Sequence, residues 1–177
     1  ILKCIRNIPS ESILFNIDQH AQITSKSDEN AILKVFYKVF YDHQGFYGFQ
    51  PHVAAFEESI SRDRKYDAFK EEFAKIYGVD WTDARKDYIK PQINQAIAEA
   101  CGVIYNDEPE EYKNILLKYQ RDLKQSVEDF AMKVNTYIQS KEKNFRLNFY
   151  VDEVGQFIAG NTRLMLNLQT IAETLFT

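Results

Sequence analysis

The sequence has few of the residues on which several common kinds of function depend. Two cysteines, Cys4 and Cys101, occur among 177 residues, which is too few for a disulfide framework or a cysteine-based zinc site. No apolar run approaches the ~18 residues of a membrane-spanning helix. The formal net charge is −4, so no general positive field attracts nucleic acid. We therefore expect a protein of the reducing cytoplasm that neither crosses a membrane nor binds DNA directly.

Glycine is also scarce, and its positions exclude a phosphate-binding loop. The six glycines are Gly45, Gly48, Gly78, Gly102, Gly155 and Gly160. None begins the G-x-x-x-x-G-K-[ST] pattern, whose backbone amides and lysine hold nucleotide phosphates. The G-x-S-x-G elbow of serine hydrolases is absent as well. The chain begins at Ile1 without a signal peptide, and we interpret it as part of a longer protein.

Histidines and aromatic residues invite functional interpretations that their spacing does not favour. His20, His43 and His52 lack the paired spacing of metal ligands, and we interpret "DHQGFYGFQPH" as a surface loop. The aromatic clusters "VFYKVFY" and "GFYGF" could stack bases, but helical spacing favours core packing. Cys101 lies on an apolar helical face and is predicted to be a small core residue.

Two short apolar segments, each ending in an acid, enclose a large helical block. "SILFNID" predicts a strand near residues 12–18, and "RLNFYVDE" predicts a second strand that ends at Asp152 and Glu153. Such segments are typical of neighbouring parallel strands buried on both faces. The expected fold is therefore mostly α, a helical bundle inserted between two short parallel strands of an incomplete α/β core. Predicted boundaries are 1–26 for the partial core, 27–143 for the insertion, and 144–177 for the second strand and the helix after it.

Helical periodicity is clear throughout the block. Apolar side chains recur at threes and fours from Pro109 to Ser140, which predicts one helix of about 48 Å. Asp107 and Glu110 have the spacing of a capping box at its start. "NTRLMLNLQTIAETLF" predicts a closing amphipathic helix capped by Asn161 or Thr162.

The adjacent acids Asp152 and Glu153 are the strongest chemical signal. In P-loop ATPases a strand of large apolar residues ends in Asp-Glu at the edge of the sheet where ligands bind. The Asp helps hold Mg²⁺ through water, and the Glu polarises the water that attacks the γ-phosphate. Neighbouring strand residues point to opposite sides, so we expect the two acids to serve separate roles. The alternative is a pair of acids that ends a strand in solvent.

The segments "IPSESILFNIDQHA" and "FYVDEVGQFIAGNTRLMLNLQTIAETL" resemble the large P-loop, AAA+-like ATPase of bacteriophage exclusion (BREX) systems, the BrxC/PglY family. The resemblance covers nearly the whole chain and is most specific from Leu147 to Leu175. It implies Asp152 as the Walker B magnesium acid and Glu153 as the catalytic acid. It also implies a bacterial cytoplasmic protein that uses ATP and Mg²⁺ and acts with a DNA methyltransferase and other BREX components. Asn148 departs from an all-apolar Walker B strand.

Without a Walker A loop, this chain is expected to be an internal fragment that neither binds nor hydrolyses ATP alone. The alternative function is a non-catalytic helical protein–protein interaction domain. A two-stranded remnant also leaves Leu14, Phe15, Phe149 and Tyr150 in need of cover. We expect either that the helical block packs on them or that two chains share the sheet as a homo-oligomer.

Overall fold

The computed structural model describes residues 8–18 and 30–176 of the chain. The described part is mostly helical and contains one two-stranded sheet. The strands are β1 (Ser10–Asn16) and β2 (Arg146–Asp152). The helices are α1 (Ala31–His43), α2 (Pro51–Arg62), α3 (Tyr66–Tyr77), α4 (Trp81–Ala84), α5 (Pro91–Tyr105), α6 (Ile115–Asp122), α7 (Val127–Gln139), α8 (Val154–Ile158) and α9 (Thr162–Phe176). Short 3₁₀ helices span Arg85–Asp87 and Pro109–Tyr112.

Contacts divide the chain into two compact units. The strand unit comprises the described residues up to His43 together with those from Lys124 onward. The helical unit is Gln44–Leu123. Helices α1 and α7 belong to the strand unit, so the compact helical unit is shorter than the insertion predicted over 27–143. That the two strands belong to an ATPase core, which this helical segment interrupts, stays a prediction.

The predicted parallel pairing of the two strands is confirmed. β1 and β2 run parallel, in a register that starts at Ser10 opposite Arg146 and ends at Asn16 opposite Asp152. The first strand lies two residues earlier than predicted, because Ile17 and Asp18 are already helical. Both strands therefore end at the same edge of the sheet.

One face of this sheet is covered by aromatic side chains from α1 and α7. The Phe36 ring of α1 lies 5.4 Å from Phe15 of β1 and 5.5 Å from Phe149 of β2, measured between ring centroids. Phe130 of α7 lies 5.9 Å from Phe36. These edge-on and tilted contacts are the geometries that aromatic pairs prefer. The expectation that helices pack on the sheet is confirmed for this face.

The other face of the sheet was predicted to be buried, but its large side chains are exposed. Leu14 and Tyr150, which lie opposite each other in the register, are 77% and 55% exposed. Side chains alternate along a strand, so these two residues share the face that is turned away from Phe15. We call the surface formed by Leu14 and Tyr150 the outer face. The prediction of burial on both faces is wrong for the described part of the chain.

The strand unit is completed by α9, which packs against α1 and α7. Its start follows the predicted capping chemistry. Asn161 Oδ1 accepts hydrogen bonds from the backbone N–H groups of Arg163 at 3.1 Å and Leu164 at 3.3 Å. Asn161 is therefore the capping residue, as one of the two predicted alternatives had it.

The helical unit is built around a core of aromatic and aliphatic side chains. Its buried members include Val53, Phe56, Ile60, Phe69, Phe73, Trp81, Ile93, Ile97 and Cys101. The helices that supply them begin and end at local signals. Pro51 and Pro91 occupy the first turns of α2 and α5, and Gly78 ends α3 with a φ of 81°. Cys101 is fully buried, which confirms it as a core residue, and burial raises the pKa of its thiol to about 12.

The single long helix predicted from Pro109 to Ser140 is wrong. The segment forms a 3₁₀ turn, then α6, then α7. Ser126 is the N-cap of α7, where its Oγ accepts a hydrogen bond from the Asp129 backbone N–H at 3.0 Å. The prediction failed because residues 123–126, which are not helical, leave the apolar residues on either side at the spacing of three and four that a continuous helix would also have. The chain leaves the helical unit at this break, after Leu123.

The capping box predicted at Asp107 and Glu110 is also wrong. Glu108 is the N-cap of the 3₁₀ turn and makes no side-chain cap bond. Asp107 instead accepts a hydrogen bond from the Tyr112 hydroxyl at 2.7 Å. The Asp107 carboxylate therefore bonds to the Tyr112 hydroxyl, and not to a backbone N–H group as the capping-box pattern predicted.

No helix in the described ranges is both long and apolar enough to traverse a bilayer.

Candidate functional site

The acid pair lies at the edge of the sheet where both strands end. Asp152 is the last residue of β2, and its register partner Asn16 is the last residue of β1. Both Asp152 and Glu153 are exposed to solvent. Ligands of parallel α/β sheets bind at the carboxyl ends of the strands. The position of the pair therefore matches the one that its sequence pattern predicts.

The turn after β2 has an unusual backbone. Glu153 adopts a left-handed conformation with φ 59° and ψ 21°. This region is unfavourable by about 1–2 kcal/mol for a residue with a side chain. The Glu153 N–H donates a 2.8 Å hydrogen bond to Asp152 Oδ1, and its carbonyl accepts from the Phe157 N–H at 3.0 Å in α8. Two local bonds thus hold the conformation.

This turn corrects one part of the sequence argument. We expected the two carboxylates to point to opposite sides because neighbouring strand residues alternate. Glu153 lies beyond the end of β2, in the left-handed region, so strand alternation does not govern its side chain. Any separation of roles between Asp152 and Glu153 depends on the turn.

The donor set fits Mg²⁺ only in part. Within residues 8–18 and 30–176, no group of three or more His, Cys, Asp or Glu side chains could hold a metal ion. Mg²⁺ in phosphoryl-transfer sites is held by one or two carboxylates, several waters and the substrate phosphates. Asp152 Oδ1 accepts the Glu153 N–H, whereas Oδ2 receives no hydrogen bond from the described residues. One carboxylate oxygen is thus available, which suits a metal that nucleotide phosphates also hold.

A second carboxylate cluster lies at the opposite end of β1 and was not found from the sequence. Glu11 pairs with Nε2 of His43 at 2.6 Å, accepts from the Tyr137 hydroxyl at 2.6 Å, and accepts from Lys141 Nζ at 3.0 Å. The Tyr137 and His43 hydrogen bonds, with Lys141, lower the pKa of Glu11 to about 2. These contacts connect β1 to the ends of α1 and α7. No motif spacing relates residues so far apart in the chain.

A third carboxylate, Glu57, is completely buried in the helical unit. Its Oε1 accepts from Trp81 Nε1 at 2.6 Å, Arg85 Nη1 at 2.8 Å and the Tyr66 hydroxyl at 2.9 Å. Its Oε2 accepts from the Tyr47 backbone N–H. Burial, with the nearby Glu57 charge, raises the pKa of Tyr66. The buried carboxylate thus has four donors, one of them a guanidinium, and these bonds connect the segments around it.

The histidines are distributed among separate environments. His20 lies outside the described residues. His43 belongs to the Glu11 cluster. His52 is buried in α2 rather than exposed in a surface loop, so the loop interpretation is wrong at that residue. The aromatic residues of "VFYKVFY" are buried, as the core interpretation predicted.

Comparison with known proteins adds no assignment to this geometry. No family model matches the chain, and no solved structure matches it. The resemblance to the BREX ATPase family therefore stays a prediction that depends on the sequence segments themselves.

Proposed function

We propose that this chain carries the Walker B part of a nucleotide site in a BREX-type P-loop ATPase. Asp152 would bind Mg²⁺ through water, and Glu153 would polarise the water that attacks the γ-phosphate. The phosphate-binding loop would lie outside residues 1–177, so the chain alone is not expected to hydrolyse ATP.

The observation that supports this proposal best is the parallel register of two strands distant in sequence. β1 and β2 end together at Asn16 and Asp152, and Glu153 follows Asp152 directly. A hairpin, which is the simplest way to make two strands, would have produced an antiparallel pair. Ligands of parallel α/β sheets bind outside the carboxyl ends of the strands, which is where Asp152 ends β2.

The same proposal assigns partners by resemblance. A protein of this kind would act in the bacterial cytoplasm with a DNA methyltransferase and other BREX components in defence against phage. Direct DNA binding by this chain is not part of the proposal, because the net charge of −4 opposes attraction to phosphates.

Calorimetric titration with Mg·ATP tests the assignment. The experiment compares residues 1–177 with the longer protein that contains a phosphate-binding loop. We expect binding only by the longer protein and loss of that binding in Asp152→Ala. Asp83→Ala, which removes an exposed acid of the helical unit, is the matched control and should bind as the unaltered protein does.

Two results would contradict the proposal. One is the absence of a phosphate-binding loop and of Mg·ATP binding in the longer protein. The other is equal binding by Asp152→Ala and the unaltered longer protein, which would show that the acid pair is not part of the nucleotide site.

A non-catalytic helical interaction domain is the second candidate. The exposed outer face of the sheet favours it, since Leu14 and Tyr150 present apolar surface that a partner would bury. This second function would be supported over the first if Asp152→Ala left Mg·ATP binding by the longer protein unchanged and Leu14→Ser abolished binding of a partner protein.

A further inference from the structure

The helical unit contains a cleft that the proposed ATPase role does not use. Its volume is about 580 Å³, which is within the range of roughly 300–1,000 Å³ that small-molecule sites occupy. Its walls include His52 of α2, Tyr88 and Ile89 before α5, Asn94 of α5, and Leu117 of α6. We call it the His52 cleft.

His52 is the polar group that distinguishes this cleft from a simple surface depression. The side chain is 5% exposed, and its ring meets the Tyr88 ring edge-on with 4.9 Å between centroids. Burial lowers the pKa of His52, so at neutral pH the ring is uncharged and offers one donor and one acceptor. No described residue hydrogen-bonds its ring nitrogens, and neither nitrogen is among the fully buried atoms that lack a partner. The ring nitrogens are therefore reached from the solvent, and a ligand in the cleft would replace the water that bonds to them.

Asn94 and Gln95 offer acceptors to the cleft, which the exposed amides of Asn114 and Gln120 also line. Asn94 Nδ2 donates to the backbone oxygens of Tyr88 at 2.8 Å and Lys90 at 3.2 Å. Gln95 Nε2 donates to Glu99 at 2.7 Å. Both amide nitrogens are therefore engaged within the protein, while the amide oxygens of Asn94 and Gln95 retain their capacity to accept.

The charge of the cleft does not favour an anion. Lys113 is the cationic side chain that lines it, and its Nζ already lies 3.2 Å from Glu110 Oε2. An anionic ligand would have to compete with Glu110 for this lysine. Ile89 and Leu117, which are 77% and 55% exposed, provide apolar surface for the body of a ligand.

We propose that the His52 cleft binds a small uncharged aromatic molecule that carries a hydroxyl or ring N–H donor. The ring packs on Tyr88, Ile89 and Leu117, where aromatic and apolar side chains offer complementary surface. The donor of the ligand bonds to His52 or to the amide oxygen of Asn94. Phenols and indoles are the simplest members of this chemical class.

Nuclear magnetic resonance of the histidine ring signals tests the proposal, with phenol as the probe. Phenol should shift the His52 ring signals in a saturable manner and leave those of His43, in the strand unit, unchanged. Anisole, in which the donor is methylated, should bind about fivefold more weakly, since it loses one net hydrogen bond. Benzoate, which is anionic and lacks a donor, should bind more weakly than either.

A pair of matched variants locates the binding. Leu117→Arg places a charged side chain in the cleft and should weaken phenol binding at least about tenfold. Val103→Arg alters a similarly exposed apolar residue that does not line the cleft, and should bind phenol normally. The indole N–H signal of Trp81, the single tryptophan, reports whether each variant keeps the Glu57 contacts.

Three results would overturn the proposal. They are equal shifts of the His52 and His43 rings with phenol, equal affinity for phenol and anisole, and equal phenol affinity in Leu117→Arg and Val103→Arg. If Leu117→Arg loses the folded Trp81 signal, Leu117→Lys replaces it and the same comparison decides.

Discussion

The strand unit and the helical unit each contain a carboxylate that gathers donors from distant parts of the chain, but in opposite environments. Glu57 of the helical unit is fully buried and bonded to Trp81, Arg85 and other donors. Glu11 of the strand unit has a side chain that is 34% exposed. Because solvent screens charges at the surface, similar sets of bonds have different consequences for stability. We therefore expect burial, more than the number of bonds, to set how much each cluster contributes to the free energy of unfolding.

The two units also differ in how completely they are covered. In the helical unit the aromatic residues Phe56, Phe69, Phe73 and Trp81 are all buried around the same core. The sheet of the strand unit has one covered face and an outer face that exposes Leu14 and Tyr150. We expect the core of the helical unit to be stable without contacts from other parts of the protein. We expect the strand unit to gain stability from contacts that cover its outer face.

The largest expected effect is at Glu57. Glu57→Gln removes the charge that Arg85 pairs with and places an amide N–H₂ among donors. We expect the free energy of unfolding to fall by about 3–5 kcal/mol, since breaking a buried pair leaves an uncompensated charge. Denaturant unfolding followed by Trp81 fluorescence measures it.

Glu71→Gln, at an exposed acid of α3, is the control and should change the free energy of unfolding by less than about 0.5 kcal/mol. Equal effects of the two substitutions would show that the buried network does not stabilise the helical unit.

Glu11 provides the counterpart in the strand unit. Its folded pKa of about 2 is below the ordinary value of 4.5, so its contribution is present above pH 4.5 and is lost as pH falls toward 2. Since the side chain is about one-third exposed, the contribution is reduced by solvent to about 1 kcal/mol. Glu11→Gln should lower the free energy of unfolding by that amount at neutral pH, and the difference should shrink as the pH is lowered below 4.5.

Glu142→Gln is the matched control, because Glu142 is an exposed acid of the same unit. Its difference from the unaltered protein should stay near zero at every pH. A pH-independent effect of Glu11→Gln would mean that the cluster stabilises through packing alone.

A substitution at the left-handed residue Glu153 should change the free energy of unfolding by a smaller amount, and should raise it. Glu153→Gly should raise the free energy of unfolding by about 0.5–1 kcal/mol, because glycine adopts φ near 59° without steric penalty. Thermal unfolding of the variant measures the gain. Glu153→Ala retains a side chain and should show no such gain, and a gain of equal size would place the cause in the lost carboxylate instead.

A substitution on the outer face should have the smallest effect on the free energy of unfolding. It also tests most directly whether this face is left uncovered. If two chains share the sheet, light scattering should show a mass that rises with concentration, and Leu14→Ser should abolish the rise. The substitution itself should alter the free energy of unfolding little, because Leu14 is 77% exposed. A monomeric mass at all concentrations would remove the shared-sheet expectation.

Much of the local architecture was predictable from short stretches of sequence. Asn161 begins α9 as one of the two predicted alternatives had it, and Pro51, Pro91 and Gly78 begin or end helices in the same local way, since proline, glycine and capping side chains act on the adjacent backbone. The parallel strand pair was predictable as well. Its apolar segments end in acids and are separated by a connection long enough for a crossover.

The candidate site was predictable in position and not in geometry. Asp152 and Glu153 lie at the end of β2, as their place after an apolar run indicated. The left-handed backbone of Glu153 was not foreseen, because glutamate carries no preference for that region. His52 was misassigned to a loop, since its burial depends on the packing of Tyr88, which is remote in sequence.

By itself the sequence determined the start of α9 at Asn161, which residues form the apolar helical faces, and that residues 1–177 contain no phosphate-binding loop. These are properties of the local backbone and of residue spacing. Only the tertiary structure decided that Glu11 and Glu57 become donor-rich centres, that the run from Pro109 to Ser140 breaks at Ser126, and that one face of the sheet is covered while Leu14 and Tyr150 stay exposed. Each of these depends on contacts between residues far apart in the chain, which local propensity does not encode.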